Sequence, residues 1–533
     1  MTNNMSRWVA GVAGIAVLSC ASLTWAQDAK PADTGSPISR FEITRFEVQG
    51  NTLLPASAVD ALLAPYTGQN RDFGSVQKAL ETLEAAYHAK GYNVVQVVLP
   101  EQELNQGVVH LRVIETKIGK VTVKGNKYFD EANIRHSVPG LREGESPNLD
   151  QVSASLRVAN ENPAKKTTLQ LQSGERDDQV DALLQVADDK PWSAGIGVDN
   201  TGVGNTGRNH VTVQYQNANI GGVDHVMSLQ YTTSLSDPSQ VTVLGAGYHV
   251  PLYAQGDSLD FYGSYSNVDS GTVSAGVLSL AVSGKGSVAG ARYNHNFAHV
   301  GDYDSKLIFG IDYKAFQNDI TEQSTQSQLG SDVTVHPFSL TYTGAWTIQN
   351  NNVNFYASGI RNIPGGEHGG NADFAAVGAS ENYDMLRYGA SYMHVFPKDW
   401  QLRLALNGQV TGDVLVQGEQ FGAGGAASVR GFEEREVAGD EGRTTNVELY
   451  TPNLCSGGAL CRVLGFYDTG YVSSNNAVLS GFSQQSIGSV GFGLRLSVER
   501  YLVLQSDFAH VVDGTDATPK GNNRVHFRAV LTY

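Results

Sequence analysis

One arginine carries the most specific chemistry in this chain. Residues 422–442 read GAGGAASVRGFEEREVAGDEG, a glycine-rich stretch without regular periodicity, in which Arg430 sits between Val429 and the pair Gly431–Phe432. A guanidinium keeps its charge and grips a carboxylate with two parallel N–H donors. Two acids follow in strand-like runs. In GFYDTGY, Phe466, Asp468 and Gly470 share one face by parity, while Val463 and Tyr467 take the other. In TTNVELYTP, Val447 and Leu449 flank Glu448 in the same way. If the apolar faces meet a non-polar medium, Asp468 and Glu448 point to the enclosed side, and Arg430 is the cation they call for. The chemistry is that of an anchor, and such a pair specifies one loop conformation more than it adds stability. Histidines and the remaining acids are scattered, with no catalytic triad and no metal-ligand spacing, so the chain reads as neither an enzyme nor a metalloprotein. Cys455 and Cys461, in CSGGALC, join two strand-like runs and predict a disulfide across a turn. Two thiols with no histidine nearby do not fill a tetrahedral metal site.

The elements that must hold these residues begin after Pro191. From there helical patterns vanish and alternation takes over. HVTVQYQ sets Val211, Val213 and Tyr215 against Thr212, Gln214 and Gln216, and the terminal VHFRAVLTY sets Val525, Phe527, Ala529, Leu531 and Tyr533 on one face. Sixteen such segments fit between 191 and 533. Each takes roughly twenty residues with its connection, which suits tilted membrane strands of ~9–11 residues. A soluble sandwich of this size would need domain breaks, and none is visible. A closed barrel puts the apolar face in lipid, the polar face in water, and leaves no backbone group unpaired. The reading is therefore a transmembrane barrel over 191–533. Its stretch 414–441, too long for an ordinary connection, folds inward. There Gly431 lets the backbone approach the wall.

Two small α/β units precede the barrel. The first, residues 41–116, runs from the strand FEITRFEVQGNTLL through helices ASAVDALLAPY and FGSVQKALETLEAAYHAKGY to strands NVVQVVLP and GVVHLRVIE. The second helix carries Val76, Leu80, Leu83 and Tyr87 at helical spacing. Residues 117–190 repeat the order β-α-α-β-β, with Asn148 or Asp150 as the N-cap of the second helix. A V-x-G-N turn follows the first strand of each unit, at Val48–Asn51 and Val123–Asn126.

Composition agrees with this. The 533 residues include 59 Gly and 23 Tyr with only 17% charged residues, as turns and strands require. The net charge of −16 offers no basic footprint for nucleic acid. Residues 1–26, with Arg7, the apolar run WVAGVAGIAVL and the small residues of TWA, read as a cleaved export signal. Residues 27–40 read as a linker. No other stretch approaches the ~20 apolar residues of a membrane helix.

Taken together, the motifs resemble those of the TpsB family, outer-membrane transporters of two-partner secretion (FhaC/ShlB-like, within the BamA-like superfamily). EQFGAGGAASVRGFEE resembles the family's sixth-loop motif, with core Val429, Arg430, Gly431 and Phe432. FYDTG resembles the strand motif whose acid, here Asp468, receives the arginine. VLPEQELNQGVVHLRVIE and NENPAKKTTLQLQSG resemble the ends of two POTRA modules, and KPWSAGIGVDNTG resembles entry into the barrel. The resemblance implies two POTRA domains on the periplasmic side of a Gram-negative outer membrane. It implies export of one large partner exoprotein without ATP or any cofactor. The POTRA domains would recruit the unfolded cargo and the barrel would conduct it. It implies a monomer held in outer-membrane lipid and inserted by the barrel assembly machinery. A BamA-like assembly factor is the alternative; a passive porin would leave both modules and the VRGF/FYDTG pair without a purpose. Some family members place a plug helix before the first module. Here about fourteen residues precede Phe41, too few for a helix and its tether, so the loop 414–441 is the expected closure of the pore.

Overall fold

The computed structural model describes residues 40–202, 207–236, 238–239, 241–267, 271–275, 278–282, 285–317 and 332–533. The export-signal reading (1–26) and all but Arg40 of the linker lie outside them.

In the first unit, Val108–Ile114 is the central strand, parallel to Arg45–Gln49 and antiparallel to Gln96–Val98. Helices Ala56–Leu63 and Phe73–His88 cover one face. The apolar stripe of the longer helix is buried at Val76, Ala79, Leu83 and Tyr87, against Leu111 and Val113 of the sheet. Asp72 caps that helix by accepting the Ser75 amide. Two details depart from the sequence reading. The opening run is two strands, Phe41–Ile43 and Arg45–Gln49, and the first of them pairs with Gly68–Arg71, a strand the polar sequence GQNR did not announce.

The second unit repeats the plan, with Gln179–Asp188 central between Lys117–Lys124 and Lys165–Ser173. Of the two N-cap candidates, Asn148 accepts the Gln151 amide at 3.1 Å. Asn148 also donates to the Lys90 carbonyl, so one side chain caps a helix of one unit and ends a helix of the other. The repeated turn asparagines do the same local work: Asn51 and Asn126 each donate to the carbonyl three residues on. Asp188 accepts the amides of Lys127, Tyr128 and Phe129. Partial burial alone would raise its carboxyl; the amides outweigh that and hold it below its usual 3.8.

From Trp192–Asp199 to Asn523–Thr532, sixteen antiparallel strands close into a barrel, the last pairing with the first. The alternation places Val213, Leu229, Phe261, Ile311, Phe492 and Leu531 outside, and buries Gln230, Asp260, Asn294, Gln409 and Asp468 on the lumen side. Aromatic residues crowd the short-turn rim that the modules adjoin: Trp192 packs on Tyr533, and Trp346 on Tyr303. Cys455 and Cys461 are joined there, with their Cα atoms 5.2 Å apart. No helix among the described residues is long and apolar enough to cross a membrane; the crossing is made by strands.

The second unit seats on the first barrel turns through a buried polar contact. Lys165 and Asp224 pair with side chains 0% and 1% exposed. Tyr253 donates to Asp224 at 2.5 Å, and Asn133 bonds Lys165 and the Gly222 carbonyl. Burial lowers the Lys165 ammonium below its usual range despite the acid beside it.

Candidate functional site: the inward loop and its lumen anchor

The connection between strands Gln401–Val410 and Glu441–Tyr450 enters the lumen. It was expected to lack strand character. Instead a short hairpin, Phe421–Ala423 with Val437–Gly439, stiffens its shaft. Three-residue strands interrupted by glycine carry too little alternation to be read from sequence.

The root is held by two buried acids. Glu419, fully buried, receives Lys314 at 2.6 Å and Arg387 at 3.1 Å. Asp440, also fully buried, accepts the Leu415 and Asn475 amides, each at 2.8 Å. These clamps close the loop ends against the wall at the rim opposite the modules.

The tip carries the predicted motif. Val429 and Phe432 are fully buried against Ala423, Val437, Val472, Ile487 and Val511. Gly470 makes room for Val429: a Cβ there would lie 3.0 Å from its methyl. Gly431 adopts φ +100°, and a Cβ would come within 3.2 Å of Val511. A left-handed turn against a wall needs glycine on both counts.

Arg430 is 3% exposed. Its Nε donates to Asp468 Oδ2 at 2.6 Å and its Nη2 to Asp468 Oδ1 at 2.8 Å, a two-bond fork. The Arg430 amide adds a third contact to Asp468 at 3.2 Å. Nη2 also lies 2.9 Å from Glu448 Oε1, and Nη1 lies 3.5 Å from Asp507 Oδ1. The guanidinium stacks on the Phe466 ring at 3.5 Å. Arg403 takes the other oxygen of Glu448, and Arg495 grips both oxygens of Asp507, so three guanidiniums face three carboxylates. Asn446 bridges Asp468 and the Ser428 carbonyl. Val429, Arg430, Gly431, Phe432, Glu448, Phe466, Asp468 and Gly470 are thus all brought into one site.

Sequence reasoning missed Asp507, Asn446, His526 and the root acids. Parity put His526 on the polar face of the last strand, opposite Val525 and Phe527, but cannot say which lumen residue the loop reaches. In LVLQSDFAHVVD the face of Asp507 also holds Val503, Ala509 and Val511, so the alternation there is weak. Glu419, Lys314 and Arg387 come from three separate parts of the chain and share no local signal.

A closed sixteen-stranded membrane barrel, two preceding α/β modules and a lumen loop pinned by a buried arginine define an outer-membrane protein-translocating pore. The chain belongs to the haemolysin secretion/activation protein ShlB/FhaC/HecB family, whose pattern it matches over residues 179–496, and residues 41–116 match the ShlB-type POTRA domain. It is 21% identical over 477 residues to the heme/hemopexin transporter protein HuxB of Haemophilus influenzae (strain 86-028NP), covering 86% of this chain and 81% of that one. It is 23% identical over 436 residues to the outer membrane transporter CdiB of Escherichia coli O6:K15:H31, covering 77% and 68%. In fold it is similar to the solved CdiB of Escherichia coli (TM-score 0.72, 20% identity, covering 95% of this chain and 93% of that one) and to CdiB of Acinetobacter baumannii (TM-score 0.67, 16% identity, covering 93% and 90%). The protein is an outer-membrane transporter of two-partner secretion, with its POTRA domains in the periplasm, and it moves a secreted partner exoprotein.

Proposed function

We propose that this chain exports one large exoprotein of adhesin or haemolysin type, taken up unfolded by the first module and released outside as the loop tip leaves its anchor. The division of labour follows the boundaries 41–116, 117–190 and 191–533. The observation that carries the reading is the loop itself, pinned in the lumen by the non-covalent contacts of Arg430 with Asp468, Glu448 and Asp507.

The first module supports recruitment. Its sheet has edge strands at Arg45–Gln49 and Gln96–Val98. An extended chain can add to such an edge through main-chain bonds with little sequence demand. Beside the sheet lies a groove of 430 Å³ lined by Phe41, Phe73, Val76, Leu99, Leu104 and Val109. Phe73 is 63% exposed at its rim, an apolar contact waiting for a partner. With no nucleotide chemistry in the residues, transport is driven by binding inside and folding outside, and no catalytic step is assigned. The chain works as a monomer in outer-membrane lipid, and the apolar face of its last strand, ending at Tyr533, is offered to the barrel assembly machinery during insertion.

Deleting residues 41–115 tests the scheme in cells that express the neighbouring exoprotein. Export should stop while the barrel still shows heat-modifiable migration. Normal export by the deletion would remove the recruitment role, and a barrel recovered in the soluble fraction would remove the whole reading.

A further inference from the structure

The last strand makes a contact with the loop tip that the arginine anchor does not explain. His526, 3% exposed, faces the lumen from Asn523–Thr532, and its Nε2 accepts the Gly431 amide at 2.9 Å. An amide can donate only to an unprotonated ring nitrogen, so the ring is neutral with its proton on Nδ1. The contact joins the residue next to Arg430 to the barrel's closing seam. That seam is short. The last strand pairs with its other neighbour over nine positions, His510–Leu502, but with the first strand over five, Gly195–Asp199 against Arg528–Thr532, extended at the module end by reciprocal Ala194–Tyr533 backbone bonds. Above those five, Asn200 bridges with its side chain to the Val525 carbonyl and the Phe527 amide, and its own amide donates to the Phe527 carbonyl at 3.4 Å. His526 lies between these two bridged residues.

We propose that His526 is a positioning residue for the loop: its neutral imidazole holds the Gly431 amide, orients the turn that presents Arg430 to Asp468, and ties release of the tip to the barrel's weakest seam. The fixed point is the acceptor. Gly431 has a left-handed backbone, and its amide finds its acceptor on the barrel wall at His526. An amide buried without an acceptor is costly. The wall groups nearest the space beside the Gly431 Cα are Val511, Ala509 and Ser489, whose buried hydroxyl makes no hydrogen bond to the tip. The role deepens the translocation reading and rests on it only in its consequence for export.

The test is single-channel conductance in planar bilayers, which needs no cargo, on purified protein carrying His526→Ala, His526→Asn or His526→Gln, with Arg430→Ala as the control that frees the tip. Glutamine places an oxygen where Nε2 stood; asparagine is polar but too short to reach the amide. His526→Ala and His526→Asn should raise the open fraction about fivefold, the equivalent of one hydrogen bond of about 1 kcal/mol, and His526→Gln should restore the closed state. Heat-modifiable migration shows which variants assemble. If alanine does not assemble, the asparagine–glutamine contrast decides. The proposal is overturned if asparagine and glutamine behave alike, if alanine matches the wild type while Arg430→Ala opens, or if glutamine itself prevents assembly. Failure of wild-type export with the conductance pattern intact would instead count against the translocation reading.

Discussion

Among the cations buried in the described residues, Arg430 and Lys165 are buried differently. Arg430 meets Asp468 through a fork and two further acids behind it, each with its own second arginine. Lys165 meets one acid, Asp224, whose Oδ1 has no partner, and whose Oδ2 is shared with Tyr253. The first belongs to a long loop that enters the lumen; the second belongs to a junction between two folded bodies. A redundant, geometrically exacting network gives a long, glycine-rich loop a single seat. A simple point charge suffices where shape already fixes the partners. Buried ion pairs add little net stability, but breaking one strands a charge, so each acts as a lock.

The largest contrast is expected at the arginine. Arg430→Ala and Asp468→Ala should each weaken tip docking by about 3–5 kcal/mol, and export should fall at least tenfold with the barrel still assembled. Arg430→Lys should be defective too, because an ammonium cannot form the fork. The double alanine variant should be less than additive, since the second change removes a charge already stranded. Strictly additive effects on export and pore conductance would dissolve the anchor.

At the junction the expected effect is smaller. Lys165→Met should destabilise the seating of the second module toward the low end of ~2–5 kcal/mol, because Tyr253 still donates to the stranded Asp224. Adding Asp224→Asn should recover most of that loss, as neutral pairs can replace buried ionic ones. Proteolysis between module and barrel would read it. If Lys165→Met is as damaging to export as Arg430→Ala, the distinction between lock and seat fails.

The disulfide offers a weaker covalent comparison. It closes a loop shorter than the 15 residues for which about 3 kcal/mol is expected. Cys455→Ser with Cys461→Ser should therefore leave export largely intact and lower thermal resistance slightly. Native thiols reactive before reduction would refute the pairing.

Smallest is a proton effect. The Asp188 carboxyl is held below 3.8, so it stabilises the second module above that pH and the contribution fades as pH falls through the lower folded value. The protection of the Lys127–Phe129 amides against hydrogen exchange, taken relative to their intrinsic rates, should fall below about pH 4 in the wild type. In Asp188→Asn that protection should be lower throughout and flat over that range. A wild-type profile that is flat there would remove the role of those three amides.

Much of this was written in the chain. Period-two alternation from Pro191 onward determined the barrel and the side each residue faces, because successive side chains on a strand must point oppositely and lipid accepts only one kind. The same parity put Asp468 and Glu448 on the inner wall and made Arg430 their natural partner. The two-fold repeat of helix and strand patterns, with its V-x-G-N turns, determined the two modules. Tertiary structure alone decided the rest. Closure set which distant strands are neighbours, and so brought Asp507 and His526 to the loop tip and Lys314 and Arg387 to its root. Lys165 reads in sequence as one more charged residue of a strand. Only the docking of its module against the turn holding Asp224 made it a buried one, because burial depends on what covers a residue, and the cover lies 59 residues away.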